Sequence, residues 1–132
     1  MTSAKRRKFV IYVAGPYRAP TWGGVKKNVA DAMDVAAELL EAGYTVICPH
    51  SMTHGFEMYG LANDVFLESD LELVRRCDAL VMLPGWQSSR GSRAEHELAT
   101  SLDKHITYWK NDLANTLAHL ELMLTGFYSD DE

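Results

Sequence analysis

Long apolar runs are missing from this chain. The longest, Phe9–Ala14, is far shorter than the ~20 residues a bilayer-crossing helix requires. No small-residue cleavage pattern follows it, so neither a secretory signal nor a membrane span is read. Cysteine is scarce: Cys48 and Cys77 lie far apart beside apolar segments. That pattern excludes a disulfide framework and implies packed, reduced thiols and a cytoplasmic location. Basic charge is also short, with 13 Lys and Arg against 18 Asp and Glu. Four of the 13 are consecutive, Lys5-Arg6-Arg7-Lys8, so the body keeps nine against eighteen. A body so acidic is unsuited to gripping a nucleic-acid polymer, which takes clustered Lys and Arg. A metal-ligand set is incomplete as well. Cys48-x-His50-x3-His54 has no fourth partner nearby, and structural zinc wants four closed ligands, so no metal is expected.

There are no repeats, linkers or low-complexity segments, and 132 residues suffice for one domain with its own core. Residues 1–8 read as a solvated basic arm, 9–126 as the folded domain and 127–132 as an acidic tail. Within the domain, Phe9–Ala14 reads as a strand stopped by Gly15-Pro16. From Val25, the residues Val29, Ala32, Met33, Ala36, Leu39 and Leu40 follow helical spacing, and Gly43 closes that helix. Thr45–Cys48 is a second strand cut by Pro49. An irregular stretch from His50 to about Gly60 precedes a helix marked by Leu67, Leu71 and Val74. Ala79–Leu83 is a continuous apolar strand, Arg93–Leu102 a helix, His105–Trp109 a fourth strand and Leu113–Leu124 a last helix. Strand–helix alternation with short connections predicts a single-domain, doubly wound α/β fold, Rossmann- or flavodoxin-like. Its parallel sheet should have four to five strands, with helices on both faces.

That topology has a geometric consequence. GPYRAPTWGG, CPHSMTHGFEMYG and LPGWQSSRG each follow a strand, so all three gather at the carboxyl edge of the sheet. Glu95 lies just beyond the third, where a carboxylate can serve as nucleophile or acid/base. A bland alternative exists, because Ser92-x-x-Glu95 matches a capping box in which the glutamate only bonds the Ser92 N–H. Tyr12, near the end of the first strand, can aim a carboxylate through its phenol or simply pack in the core. Asp70 is either a helix-dipole group or a second site carboxylate, and two carboxylates permit displacement at an acetal-like carbon. Arg18 beside the Gly15 turn is a surface cation or a phosphate ligand. Trp22, Met52, Phe56, Met58, Tyr59 and Trp86 fall outside periodic core positions. They either sandwich a flat base or cover the sheet edge.

Together, Ile11–Arg18, Glu68–Glu72 running to Cys77–Val81, and Gly91–Glu95 resemble the nucleoside 2-deoxyribosyltransferase superfamily, which includes 2'-deoxynucleoside 5'-monophosphate N-hydrolases and small phage-type relatives. The similarity spans about Phe9 to Leu102. It implies cleavage or exchange at the N-glycosidic bond of 2'-deoxynucleosides or their 5'-monophosphates, without a cofactor. By resemblance, Glu95 attacks C1', Tyr12 orients it and Asp70 assists the leaving base. Gly15, Tyr17, Arg18, His50, Ser88, Ser89 and Gly91 then bind the small-molecule nucleoside or nucleotide. Ser89 stands where many transferases carry an acidic residue, which leans towards a phosphorylated substrate, while Pro16 leans the other way. Relatives complete their sites with a neighbouring chain, so a homodimer or larger homo-oligomer is implied, with Asn111–His119 a candidate contributor.

A rival of another class is a catalytically silent nucleotide-binding or sensor module of the same fold. Keeping Tyr12, Asp70 and Glu95 together disfavours it, since binding alone has less need of a nucleophile. A phosphoribohydrolase would carry a P-G-G-x-G-T loop, and only Pro84-Gly85-Trp86 is present. A flavodoxin-like carrier shares the architecture, but the Glu95 motif does not support it.

Overall fold

The computed structural model describes residues 1–126, so the acidic tail 127–132 lies outside the described residues. Four strands form one sheet: β1 (Val10–Ala14), β2 (Thr45–Ile47), β3 (Ala79–Met82) and β4 (His105–Tyr108). All pair in parallel, in the order β2-β1-β3-β4. The helices are α1 (Ser3–Arg6), α2 (Trp22–Glu41), α3 (Pro49–Met52), α4 (Asn63–Arg76), α5 (Arg90–Ser101) and α6 (Leu113–Thr125). Short 3₁₀ turns occupy Phe56–Tyr59 and Trp86–Ser88. The doubly wound parallel sheet is therefore present, with four strands. Among the described residues, no helix is long and apolar enough to cross a membrane.

The two central strands explain their own sequences. Residues 11–14 of β1 and all of β3 are buried, so both read as unbroken apolar runs. Side chains alternate between faces. Ile11, Val13, Ala79 and Val81 pack with Val35 and Leu39 of α2 and Leu120 of α6. Tyr12, Ala14, Leu80 and Met82 face the other way, against Val74 of α4 and Ala99 of α5. Burying this apolar surface is the main stabilising term, at roughly 25 cal/mol per Å².

Several expectations are corrected. Residues 50–60 are not wholly irregular: Pro49 at the first position starts α3, and Gly55 and Gly60, both at positive φ, bracket the 3₁₀ turn. Helix α2 starts at Trp22 rather than Val25, because the Thr21 side chain accepts from the Gly24 N–H. The basic arm is tied down through Arg6 and Arg7, while Lys5 and Lys8 stay exposed to solvent. Arg6 donates to the Ala42 carbonyl at 3.0 Å, Arg7 donates to the Tyr44 carbonyl, and the terminal amine meets Glu121. Gly43, at φ +114°, permits this contact: a Cβ there would sit 2.9 Å from the Ser3 Cα.

Candidate active site

The chain passes from β1 outward to β2, then back across the sheet to β3 and β4. The strand order thus reverses between β1 and β3, and open α/β sheets bind ligands in the crevice outside such a point. Gly15 closes the end of β1 tightly there, since a Cβ would come within 2.7 Å of the Leu83 Cβ. A cleft of about 470 Å³ opens at this place.

Glu95 is carried into it by α5. The helix is capped by Ser89, whose hydroxyl accepts from the Ser92 N–H at 3.3 Å. This disposes of the capping-box alternative. Ser92 lies inside the helix and Glu95 does not reach back to it. Instead, the Tyr12 hydroxyl donates to Glu95 Oε2. Tyr12 is fully buried in β1 and Glu95 is only 6% exposed, so this bond fixes the carboxyl in a dry setting. Burial first, and Asp70 after it, push the Glu95 carboxyl up from 4.5 to about 8, although the Tyr12 bond pulls the other way. Asp70, brought alongside by α4 and lining the same cleft, is lifted by burial from 3.8 to about 6. Burial and the neighbouring carboxylates hold the Tyr12 phenol well above its ordinary value, so it remains a donor.

All seven residues expected to bind substrate line this cleft: Gly15, Tyr17, Arg18, His50, Ser88, Ser89 and Gly91. Their roles differ. His50 is buried, with Nε2 set 3.0 Å from the Pro16 carbonyl, and burial depresses its pKa. A carbonyl only accepts, so Nε2 carries the proton and fixes the tautomer. Arg18 donates to Asn63 Oδ1. The Tyr17 hydroxyl is engaged by His54 and Glu57. Ser88 closes a 3₁₀ turn, so the expected Ser88–Ser92 turn is half turn and half helix start. Ser92, whose buried Oγ has no hydrogen-bond partner, lines the cleft at the first turn of α5.

Of the two roles open to the loop aromatics and methionines, the sandwich is not assembled, since none of the six lines the cleft. Trp86 stacks on His96, with centroids 4.2 Å apart, and lies near Tyr108. Met58 and Tyr59 point into solvent, 87% and 80% exposed. Sequence reasoning missed Glu57, Asn63 and Asp64, which also line the cleft. A usable signal existed, because Asn63, Phe66, Leu67 and Asp70 have the spacing of one helical face. His50 and His54 point to Pro16 and Tyr17, and among the described residues no three His, Cys, Asp or Glu converge as for a metal. A second depression of about 680 Å³, bordered by Asp31, Asp34, Glu38 and Trp109, includes none of Tyr12, Asp70 and Glu95.

Residues 9–108 match the family described as "Domain of unknown function (DUF4406)". The chain belongs to the DUF4406 family. Among solved structures, this DUF4406 domain is similar to a 2-desoxiribosyltransferase from Leishmania mexicana. The TM-score is 0.57 at 18% identity, over 79% of this chain and 65% of that one. The DUF4406 domain thus spans just under two thirds of that protein, and the likeness is one of fold, a 2-deoxyribosyltransferase-like α/β architecture. No curated protein sequence matches it.

Proposed function

We propose that the protein cleaves or exchanges the N-glycosidic bond of 2'-deoxynucleosides or their 5'-monophosphates, with Glu95 as nucleophile. The observation that carries this reading is the buried Tyr12–Glu95 hydrogen bond beside Asp70 in the switch-point cleft. A Glu95 oxygen attacks C1' as the C1'–N bond breaks. The bonding pair leaves with the base, and Asp70 supplies the base with a proton. Water or a second base then displaces Glu95 from C1', with Asp70 taking the incoming proton. Between their raised values the free pair holds one proton, chiefly on Glu95; attack requires its passage to Asp70, which leaves Glu95 the nucleophile and Asp70 the acid. Tyr12 stays neutral and aims Glu95 throughout.

The start of α5 supports a 5'-phosphate as the second recognition element. Ser89, Arg90, Gly91 and Ser92 of the first turn of α5 line the same cleft as Glu95, where a helix N-terminus favours an anion. A neighbouring copy's Asn111–His119 segment is the proposed remainder of the site in a homo-oligomer. The test is a panel of nucleosides and 5'-monophosphates, with and without acceptor base, reading free base by chromatography. Monophosphates should be favoured at least tenfold, as one or two charge-assisted bonds of about 1.5–3 kcal/mol would give. Glu95→Ala should lose at least ~10³-fold. Faster turnover of unphosphorylated substrate with base exchange would refute the phosphate element. Nucleotide binding without turnover would leave the sensor module.

A further inference from the structure

We propose that Tyr17 is a positioning residue, a latch whose hydroxyl holds residues 53–60 in place as a wall of the cleft. The proton count decides the direction of each bond. Tyr17 Oη lies 2.7 Å from Glu57 Oε2 and 3.0 Å from His54 Nδ1. The Glu57 carboxylate can only accept, so the single hydroxyl proton goes to it. The phenol oxygen therefore accepts from a protonated His54 Nδ1. The two bonds run in series, His54 to Tyr17 to Glu57, and both ends lie on the same short segment. Tyr17 itself is anchored from behind, where Asn28 of α2 donates to its carbonyl at 3.0 Å. Trp22, at the start of α2, stacks on the His54 ring with centroids 5.3 Å apart.

The latched segment is built to move. Gly55 and Gly60 bracket its 3₁₀ turn at φ +87° and +74°, and an added Cβ would meet nothing at either position. Met58 and Tyr59 pack on little, being 87% and 80% exposed. Apolar cover is thin, limited to a half-buried Phe56 and the Trp22–His54 stack, so the polar latch is the main tie between the turn and the Tyr17 loop. Thr53 and Glu57 line the cleft directly, and the latch therefore sets the shape of the wall that faces a bound ligand. This inference rests on the proposed function only for where the ligand sits.

The experiment compares wild type with Tyr17→Phe, which keeps the ring contacts to His50 and His54 and removes the hydroxyl. Amide hydrogen exchange is followed at Phe56, Met58 and Gly60, whose N–H groups bond within the segment at 3.0–3.1 Å. Exchange should accelerate at least tenfold there while β1 and β3 amides stay unchanged. Glu57→Leu should behave like Tyr17→Phe, and Glu57→Gln, which keeps an acceptor for the phenol, should behave like wild type. With a cleaved substrate in hand, Tyr17→Phe should raise KM at least fivefold and leave kcat within twofold. Unchanged segment exchange in Tyr17→Phe overturns the latch whatever the activity. Faster exchange with an unchanged KM overturns its positioning role. Faster exchange in a protein that cleaves none of the panel supports the latch and removes only the functional reading.

Discussion

A carboxyl lifted to about 8 by burial makes Glu95 a burden on the folded chain whenever it ionises. In the unfolded chain it titrates near its ordinary 4.5, so the folded state holds the proton more tightly. Stability from this group is fully present below about 4.5 and is lost as pH rises through about 8. Glu95→Gln keeps an acceptor for Tyr12 and removes the titration. The variant should match wild type within ~1 kcal/mol at pH 5 and exceed it by about 1–3 kcal/mol at pH 9. Denaturant unfolding at the two pH values measures this. Parallel behaviour of the two proteins would mean that Glu95 is not held neutral. The same residue illustrates what a sequence can hide. S-x-x-E is equally compatible with a cap and with a buried acid, and only the start of α5 at Arg90, three residues earlier than expected, settles which Glu95 is.

At the scale of the element, α5 depends on Ser89, whose hydroxyl satisfies the Ser92 N–H at the end of the helix that faces the cleft. Ser89→Ala should cost about 1 kcal/mol, or about 3–5 °C in Tm, and should weaken binding of a 5'-monophosphate more than of the nucleoside. An unchanged Tm would deny the cap. Elements with a strong period were legible in the sequence: β1 and β3 as unbroken apolar runs, α2 and α6 as apolar stripes. The start of α2 was not, because Trp22-Gly23-Gly24 carries no periodic signal and Thr21 acts through its hydroxyl alone. Nor was the destination of Trp86, which depends on His96 and Tyr108 arriving from α5 and β4. Convergence of the three loops beside Glu95 followed from topology, whereas Tyr12 and Asp70 were joined to it by the family resemblance. The commitment of Tyr17 and Arg18 to neighbours on residues 54–63 required coordinates.

For the whole molecule, the basic N-terminus closes the far end of the structure from the cleft. Arg6 and Arg7 satisfy the Ala42 and Tyr44 carbonyls around the end of α2, and α1 packs over Gly43. Removing residues 1–8 should lower stability by about 1–3 kcal/mol, on the scale of two partly exposed charge-assisted bonds. Thermal unfolding should register the loss while the cleft keeps its ligand affinity. A Tm that did not move would restore the picture of a free arm.

The central position of β1 has a consequence for synthesis. It leaves the ribosome first among the strands, yet it needs β2 on one side and β3 on the other. Until Ala79–Met82 emerges, one edge of an apolar strand stays open to other chains, and Tyr12 waits 83 positions for Glu95. A nascent or truncated chain that ends before β3 therefore lacks Glu95 and carries an open apolar edge. That edge needs cover until residue 82 has emerged.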